Sequence, residues 1–212
     1  MRLDHVSYAA DPRELADVVH RIGCAVGAGF VDGGRHPSFG TRNFILPLAG
    51  GTYLEVVSAL DHPSADAAPF GRAVRRRAEE GGGWLGWVVA VDDIAPVEQR
   101  LGRTAVVGSR LRPDGSRLTW RQIGIKDLLD DPQLPFVVQW LVDPDEHPSR
   151  DARTGVEIDR LEICGDPATV SDWLGEPVDR PLRGFDVEWV DGDNAGIVAV
   201  QLRTPKGVVR LD

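Results

Sequence analysis

Cysteine is almost missing from this chain. Its 212 residues hold two, Cys24 and Cys164, too few and too far apart for a disulfide framework, a zinc knuckle or a Cys-X-X-Cys redox motif. They are expected as reduced thiols packed like small hydrophobes, with no sequence neighbour that would act as a base toward either. Long apolar runs are missing too. The longest, Trp84 to Val91, falls well short of the ~20 residues that cross a bilayer. Positive charge is in deficit, with 24 Lys and Arg against 33 Asp and Glu and a net charge of −9. That balance argues against nucleic acid as a partner, since neutralising phosphate takes clustered cations. It also argues against an anionic membrane surface. No Gly-rich phosphate loop or serine elbow is present, so neither a nucleotide cofactor nor a serine hydrolase is expected. The opening residues, Met1-Arg2-Leu3-Asp4-His5, enter a strand pattern without the apolar stretch of a signal peptide, and a cytoplasmic location is the expectation.

What the chain does contain is ordinary globular material, 42% hydrophobic and 27% charged. This suffices for one large domain or two small ones. The 24 glycines and 15 prolines are scattered, which predicts many short elements joined by turns.

One pattern recurs three times. Leu3–Ala9 reads as a strand, and Asp11-Pro12-Arg13-Glu14 as a helix start with cap, first-turn proline and capping box. Leu15, Val18, Val19 and Ile22 then follow at helical spacing, with Gly23 as the stop. In the second copy, Trp84–Val91 is the strand, Asp92-Asp93 the cap, Ile94, Val97 and Leu101 the apolar face, and Gly102 the stop. The third runs from Val156 to Ile163 through Asp166-Pro167, Val170, Trp173 and Leu174 to Gly175. Three strands are expected after each helix: 25–31, 42–48 and 52–58; 104–111, 118–125 and 135–142; 184–190, 196–203 and 208–211. Each unit is therefore β-α-β-β-β, and the recurrence of a whole unit outweighs any single element. A connector helix is expected over 68–80, with Arg72, Arg75, Arg76 and Arg77 on a solvated side. Residues 143–154 form a polar linker, which places a boundary near residue 150.

Paired β-α-β-β-β units resemble the vicinal oxygen chelate superfamily, which includes glyoxalases, extradiol dioxygenases, epimerases and bleomycin-type resistance proteins. The wording is most similar to glyoxalase-like domain proteins. It lies in Leu3-Asp4-His5-Val6, Gly33-Gly34-Arg35-His36-Pro37, Gly40-Thr41-Arg42-Asn43 and Thr52-Tyr53-Leu54-Glu55 of the first unit. The second unit contributes Arg112-Pro113-Asp114-Gly115, Leu118-Thr119-Trp120-Arg121, Leu134-Pro135-Phe136, Trp140 and His147-Pro148. The resemblance implies an α+β fold in which two units (about 1–60 and 84–145) form a half-open barrel within residues 1–150. Residues 151–212 add a third unit of the same kind, expected to pack on that barrel or to pair with its counterpart in a homodimer.

The resemblance also implies a divalent metal held by inward residues of the first and fourth strands of each unit. Carried over, these are His5 and Glu55, with Gly86 opposite His5 and Gln139 opposite Glu55. His5, Glu55 and Gln139 would suit Zn²⁺, Fe²⁺, Ni²⁺ or Mn²⁺. Gly86 cannot ligate, which leaves either an open coordination position or a cleft that has lost its metal. An internal ion pair between His5 and Glu55 accounts for the same residues without a metal.

Arg35, His36 and Asn43 lie among glycines and offer polar groups to an oxygen-rich ligand, or satisfy the loop itself. Arg121 or Arg110 could meet a substrate carboxylate; alternation sets Arg121 on the face opposite Trp120 and Gln122, so only one set enters the cleft. His62-Pro63 and His147-Pro148 are read as matching exit turns. Two functions follow. In one, the protein is a metal-assisted lyase, isomerase or dioxygenase, with Glu55 and His36 in catalysis and Arg35, Asn43, Trp120 and Arg121 on the substrate. In the other, it is a metal-free small-molecule binder whose cleft uses Trp84, Trp120 and Trp140.

Overall fold

Strand β1 (Arg2–Ala9) is buried at every position after Arg2. A strand covered on both faces needs a layer outside and a closed interior within. The computed structural model, which describes residues 1–176 and 186–212, supplies both. Helix α1 (Leu15–Val26) follows β1, then come β2 (Val31–His36), β3 (Thr41–Leu48) and β4 (Thr52–Ala59). Helices α2 (Pro63–Ala67) and α3 (Pro69–Glu79) lead to β5 (Gly83–Ala90), α4 (Ala95–Leu101), β6 (Val106–Leu111), β7 (Arg117–Ile123) and β8 (Phe136–Trp140). The eight strands form a closed barrel in the order β1-β4-β3-β2-β6-β7-β8-β5.

Each half of the barrel is one unit, with its first strand parallel to its fourth, and the two first strands meet antiparallel. The expected half-open barrel is closed, though by a single residue pair, Arg35 opposite Leu111. Glycine makes that seam. Gly34 has φ 101°, and a Cβ there would lie 2.0 Å from the Leu111 carbonyl oxygen, so no other residue fits.

Local signals set most boundaries. Gly102 and Gly175 end α4 and α5 (Pro167–Leu174) with positive φ, and Asp166 accepts the Ala168 and Thr169 N–H groups at the start of α5. The first helix differs from expectation at both ends. Asp11 folds back on the Arg13 N–H in a separate turn, and α1 starts at Leu15. It then passes Gly23 and stops at Gly27, φ 70°, because Val26 is drawn into the core. The strand expected from residue 25 therefore begins at Val31. The connector arginines are not simply solvated: Arg72, Arg75 and Arg77 donate to the carbonyls of Asp66 and Ala67, of Leu60 and of Trp84.

The third unit comprises β9 (Glu157–Cys164), α5, β10 (Asp186–Val190), β11 (Gly196–Thr204) and β12 (Gly207–Leu211). The first two residues of the strand expected over 184–190 lie outside the described residues. Its element order repeats that of the first two units, but its strand order, β10-β9-β11-β12, does not. Here the first strand is central, parallel to the second and antiparallel to the third. The result is an open sheet with one apolar face, which must be covered.

The barrel covers it. Leu161, Ile163, Val200 and Leu202 share one buried cluster with Val6, Leu54 and Trp87 of the barrel and with Ile22 of α1. Trp84 Nε1 donates to the Leu211 carbonyl at 3.1 Å, Trp173 Nε1 to that of Pro135 at 2.7 Å, and the Ala49 N–H to that of Val156 at 2.8 Å. One core thus runs across residue 150. A chain ending at residue 150 is expected to expose this face and to elute as aggregates in size-exclusion chromatography. A soluble, monomeric barrel with native near-ultraviolet circular dichroism would contradict the shared core.

Candidate functional site

The barrel interior is reached from β1 through a bulge. Opposite β5, Leu3 pairs with Val89 and His5 with Val88, so Asp4 is an extra residue. Asp4 is fully buried, and its carboxylate accepts from His5 Nδ1 at 2.8 Å, Trp140 Nε1 at 3.0 Å and His147 Nε2 at 3.1 Å. Burial alone would raise its pKa, but hydrogen bonds from His147 and His5 hold it far below the usual carboxylate range. Because Asp4 accepts the hydrogen bond of the Nδ1–H, His5 presents Nε2 to the cavity, and its ring is fixed by stacking on Tyr53 at 4.3 Å.

Two residues farther along, Ser7 pairs in register with Glu55 of β4. Ser7 Oγ donates to Glu55 Oε2 at 2.6 Å, and Asn43 Nδ2 of β3 donates to Oε1 at 2.6 Å. Asn43 reaches that far because Gly33 leaves room: a Cβ there would sit 2.2 Å from Asn43 Oδ1. Burial pushes the Glu55 pKa up, but His36, His5, Ser7 and Asn43 together bring it below the ordinary value, so the carboxylate is ionised. His36 Nε2 lies 4.0 Å from Glu55 Oε1, while its Nδ1 bonds Thr41 Oγ1 at 3.0 Å. Desolvation, with Arg110 and His5 adding to it against the pull of Glu55, lowers the His36 pKa to about 4. The imidazole is neutral at neutral pH.

The second unit contributes rings and one cation. Trp120 and Gln122 of β7, Phe136, Val138 and Trp140 of β8, and Arg110 of β6 line the cavity. Trp120 fits against β6 because Gly108 has no side chain: a Cβ there would lie 2.5 Å from the indole. Trp120 Nε1 donates to Gln122 Oε1 at 2.6 Å. Phe39 of the β2–β3 turn and Phe70 of α3 complete the wall; the turn and the connector pack closely there, with Gly40 and Gly71 pressing on Ala65. The space left is narrow, with about 30 Å³ open to water-sized groups.

Several expected residues lie elsewhere. Arg35 is exposed on the outer face of β2, since alternation turns His36 inward. Arg121 points out and pairs with Glu98 at 2.7 Å, so the face of β7 that enters the cavity is that of Trp120 and Gln122. Trp84 of the binder reading packs under the third unit. Asn43 supports Glu55 from behind rather than lining the cavity.

Gln139 does not join His5 and Glu55. Its amide is held outside, accepting the Ile94 N–H at 3.3 Å and donating to the Asp92 carbonyl at 3.0 Å. The register explains this. Ser7 pairs with Glu55, and the matching Val88 pairs with Phe136, so Phe136 occupies the place assigned to Gln139. A slip of three, an odd number, puts a residue on the wrong face. The second unit thus offers Gly86 and Phe136 where a metal would need ligands. Both Glu55 oxygens are engaged, and the Arg110 guanidinium shares the cavity. Among the described residues no group of three His, Cys, Asp or Glu is arranged to hold an ion. A divalent metal does not fit this donor set.

The site roles of Asp4, Ser7, His147, Phe39 and Phe70 escaped the sequence reading. Asp4 carried a signal: two adjacent polar residues, Asp4-His5, inside an apolar strand mark a bulge. His147 and His62 do share the expected turn role, each accepting the N–H two residues on, but His147 also reaches Asp4.

Residues 3–178 match the family described as Glyoxalase-like domain. No curated protein matches the sequence. Among solved structures, a hypothetical protein from Staphylococcus aureus aligns over 100% of this chain and 98% of its own, with TM-score 0.70 and 14% identity. The whole fold, third unit included, therefore occurs there. Methylmalonyl-CoA epimerase from Mycobacterium tuberculosis covers 66% of this chain and 86% of its own at 17% identity and TM-score 0.43. A Streptomyces coelicolor methylmalonyl-CoA epimerase variant in complex with 2-nitronate-propionyl-CoA covers 67% and 99% at 20% identity and TM-score 0.45.

The buried neutral imidazole makes a pH prediction. His36 titrates at about 4 in the fold and 6.5 in the unfolded chain, so below pH 6.5 the unfolded state binds the extra proton and stability falls. Between pH 7 and pH 5 the loss is expected to be about 2 kcal/mol, at 1.36 kcal/mol per pKa unit. Urea titrations should show it in the native protein and a much shallower slope in His36→Gln. Equal slopes would contradict a neutral buried His36.

Proposed function

Since the chain belongs to the glyoxalase-like domain family, we propose that its barrel is a small-molecule enzyme site that moves a proton on carbon, with Glu55 as the base and no bound metal. One observation carries this reading: an ionised carboxylate and an unpaired guanidinium, Arg110, line the same apolar cavity. Glu55 takes a proton from a carbon next to a carbonyl. The C–H electron pair moves onto that carbonyl, and Arg110 faces the oxyanion that forms. Return of the proton to another position gives an isomer; loss of a neighbouring leaving group gives an elimination.

The other groups position the reacting ones. Ser7 and Asn43 fix both Glu55 oxygens, so no rearrangement of the carboxylate is needed at the moment of transfer. Asp4 sets the His5 tautomer, and neutral His36 shields Glu55 without neutralising it. The lowered pKa keeps the base form present throughout the neutral range. The aromatic walls exclude water, which strengthens each charge inside.

Deuterium exchange tests the reading. With small 2-oxo acids in D₂O, the protein is expected to wash deuterium into the carbon next to the carbonyl, as followed by proton NMR. Glu55→Gln should slow this by about 10²–10⁴-fold, the usual contribution of a positioned base, with the thermal transition retained. Exchange that survives in Glu55→Gln, or that requires added Zn²⁺ or Mn²⁺, would contradict the proposal.

A further inference from the structure

Arg110 is the most expensive side chain in the barrel. It is 4% exposed, its Nε has no hydrogen-bond partner, and among the described residues no carboxylate lies within ion-pair distance. A buried cation without a partner destabilises a fold unless something else satisfies it. A second donor stands in the same state. Gln122 is 1% exposed, its Oε1 is taken by Trp120, and its Nε2 has no partner. Both side chains line the cavity.

Two unsatisfied donors, one charged, call for an anionic acceptor, and a guanidinium fork matches the two oxygens of a carboxylate. The remaining wall decides the body of the ligand. Phe39, Phe70, Trp120 and Phe136 face the cavity, the phenylalanines packed edge to face on one another, and such an aromatic wall favours a flat, stacking group over a puckered one. Glu55 repels a second negative charge on the far side. We infer that the barrel takes a monocarboxylate with a planar, aromatic or conjugated body, its carboxylate on Arg110 and Gln122 and its body against the aromatic wall.

This deepens the proposed proton-transfer reading by naming a substrate class, and it is tested by binding alone. Benzoate, benzamide and cyclohexanecarboxylate are the probes, followed by tryptophan fluorescence and calorimetry at neutral pH. Benzoate is expected to bind more tightly than benzamide by on the order of tenfold to a hundredfold, the range for a hydrogen bond to a charged group. It should also bind more tightly than cyclohexanecarboxylate. Arg110→Met should abolish the preference for benzoate over benzamide while raising the melting temperature of the ligand-free protein, because an unpaired charge leaves the interior. Arg110→Lys should keep part of the preference, and Gln122→Leu should reduce it.

Glu55→Gln should keep the preference for benzoate. If proton exchange fails while that preference holds, the proposed reaction falls and the ligand class stands. Equal affinity for benzoate and benzamide would overturn the inference. So would the absence of benzoate binding at millimolar concentration, or a lowered melting temperature in Arg110→Met, which would mean that the charge is satisfied within the fold.

Discussion

A carboxylate inside a barrel of aromatic rings has to be compensated, and the compensation of Glu55 organises much of this molecule. Ser7 and Asn43 donate to its two oxygens, and each is where it is for a structural reason. Ser7 is set opposite Glu55 by the parallel register of β1 and β4. Asn43 reaches Glu55 only because Gly33 lacks a side chain. His36 stands near but is kept neutral by burial. Arg110 of the second unit faces the same cavity from across the barrel seam but makes no ion pair with Glu55. The site is therefore built from both units, although the carboxylate and the histidines of the cavity wall all come from the first.

The second buried carboxylate, Asp4, has a different task. The bulge that places it in β1 brings together His5 from the same strand, Trp140 at the end of β8 and His147 from the linker. Its three donors satisfy it, and in return it fixes the His5 tautomer and ties the linker to the barrel. The barrel thus holds one saturated carboxylate and one that still faces the cavity. Among the described residues, the third unit contributes none to the cavity lining; its open sheet closes the outer core over Trp84, Trp87 and α1.

Much of this was legible in the sequence because it is local. Asp166-Pro167 as cap and first turn, the stops at Gly102 and Gly175, and the repeated β-α-β-β-β order depend on a few neighbouring residues, and they hold. What depends on pairing was not legible. Gln139 was three residues out of register, which moved it to the outer face and hid Phe136. The third unit kept its element order but paired its strands differently, because an open sheet buries its apolar face against the barrel rather than curling into one. Arg35 and Arg121 were turned outward by simple alternation once His36 and Trp120 had turned inward. The α2–α3 connector read as a solvated helix because its arginines are polar, whereas its contribution to the cavity is the single ring of Phe70.

The central claim is that Glu55 is held as a carboxylate by hydrogen bonds from Ser7 and Asn43, without a divalent ion. Metal content measures this most directly. Protein purified without chelators from metal-supplemented medium should carry Zn, Fe, Ni and Mn only at substoichiometric levels by plasma mass spectrometry, unchanged in His5→Ala and Glu55→Ala. One equivalent of a divalent metal in the native protein, lost in both variants, would contradict the account.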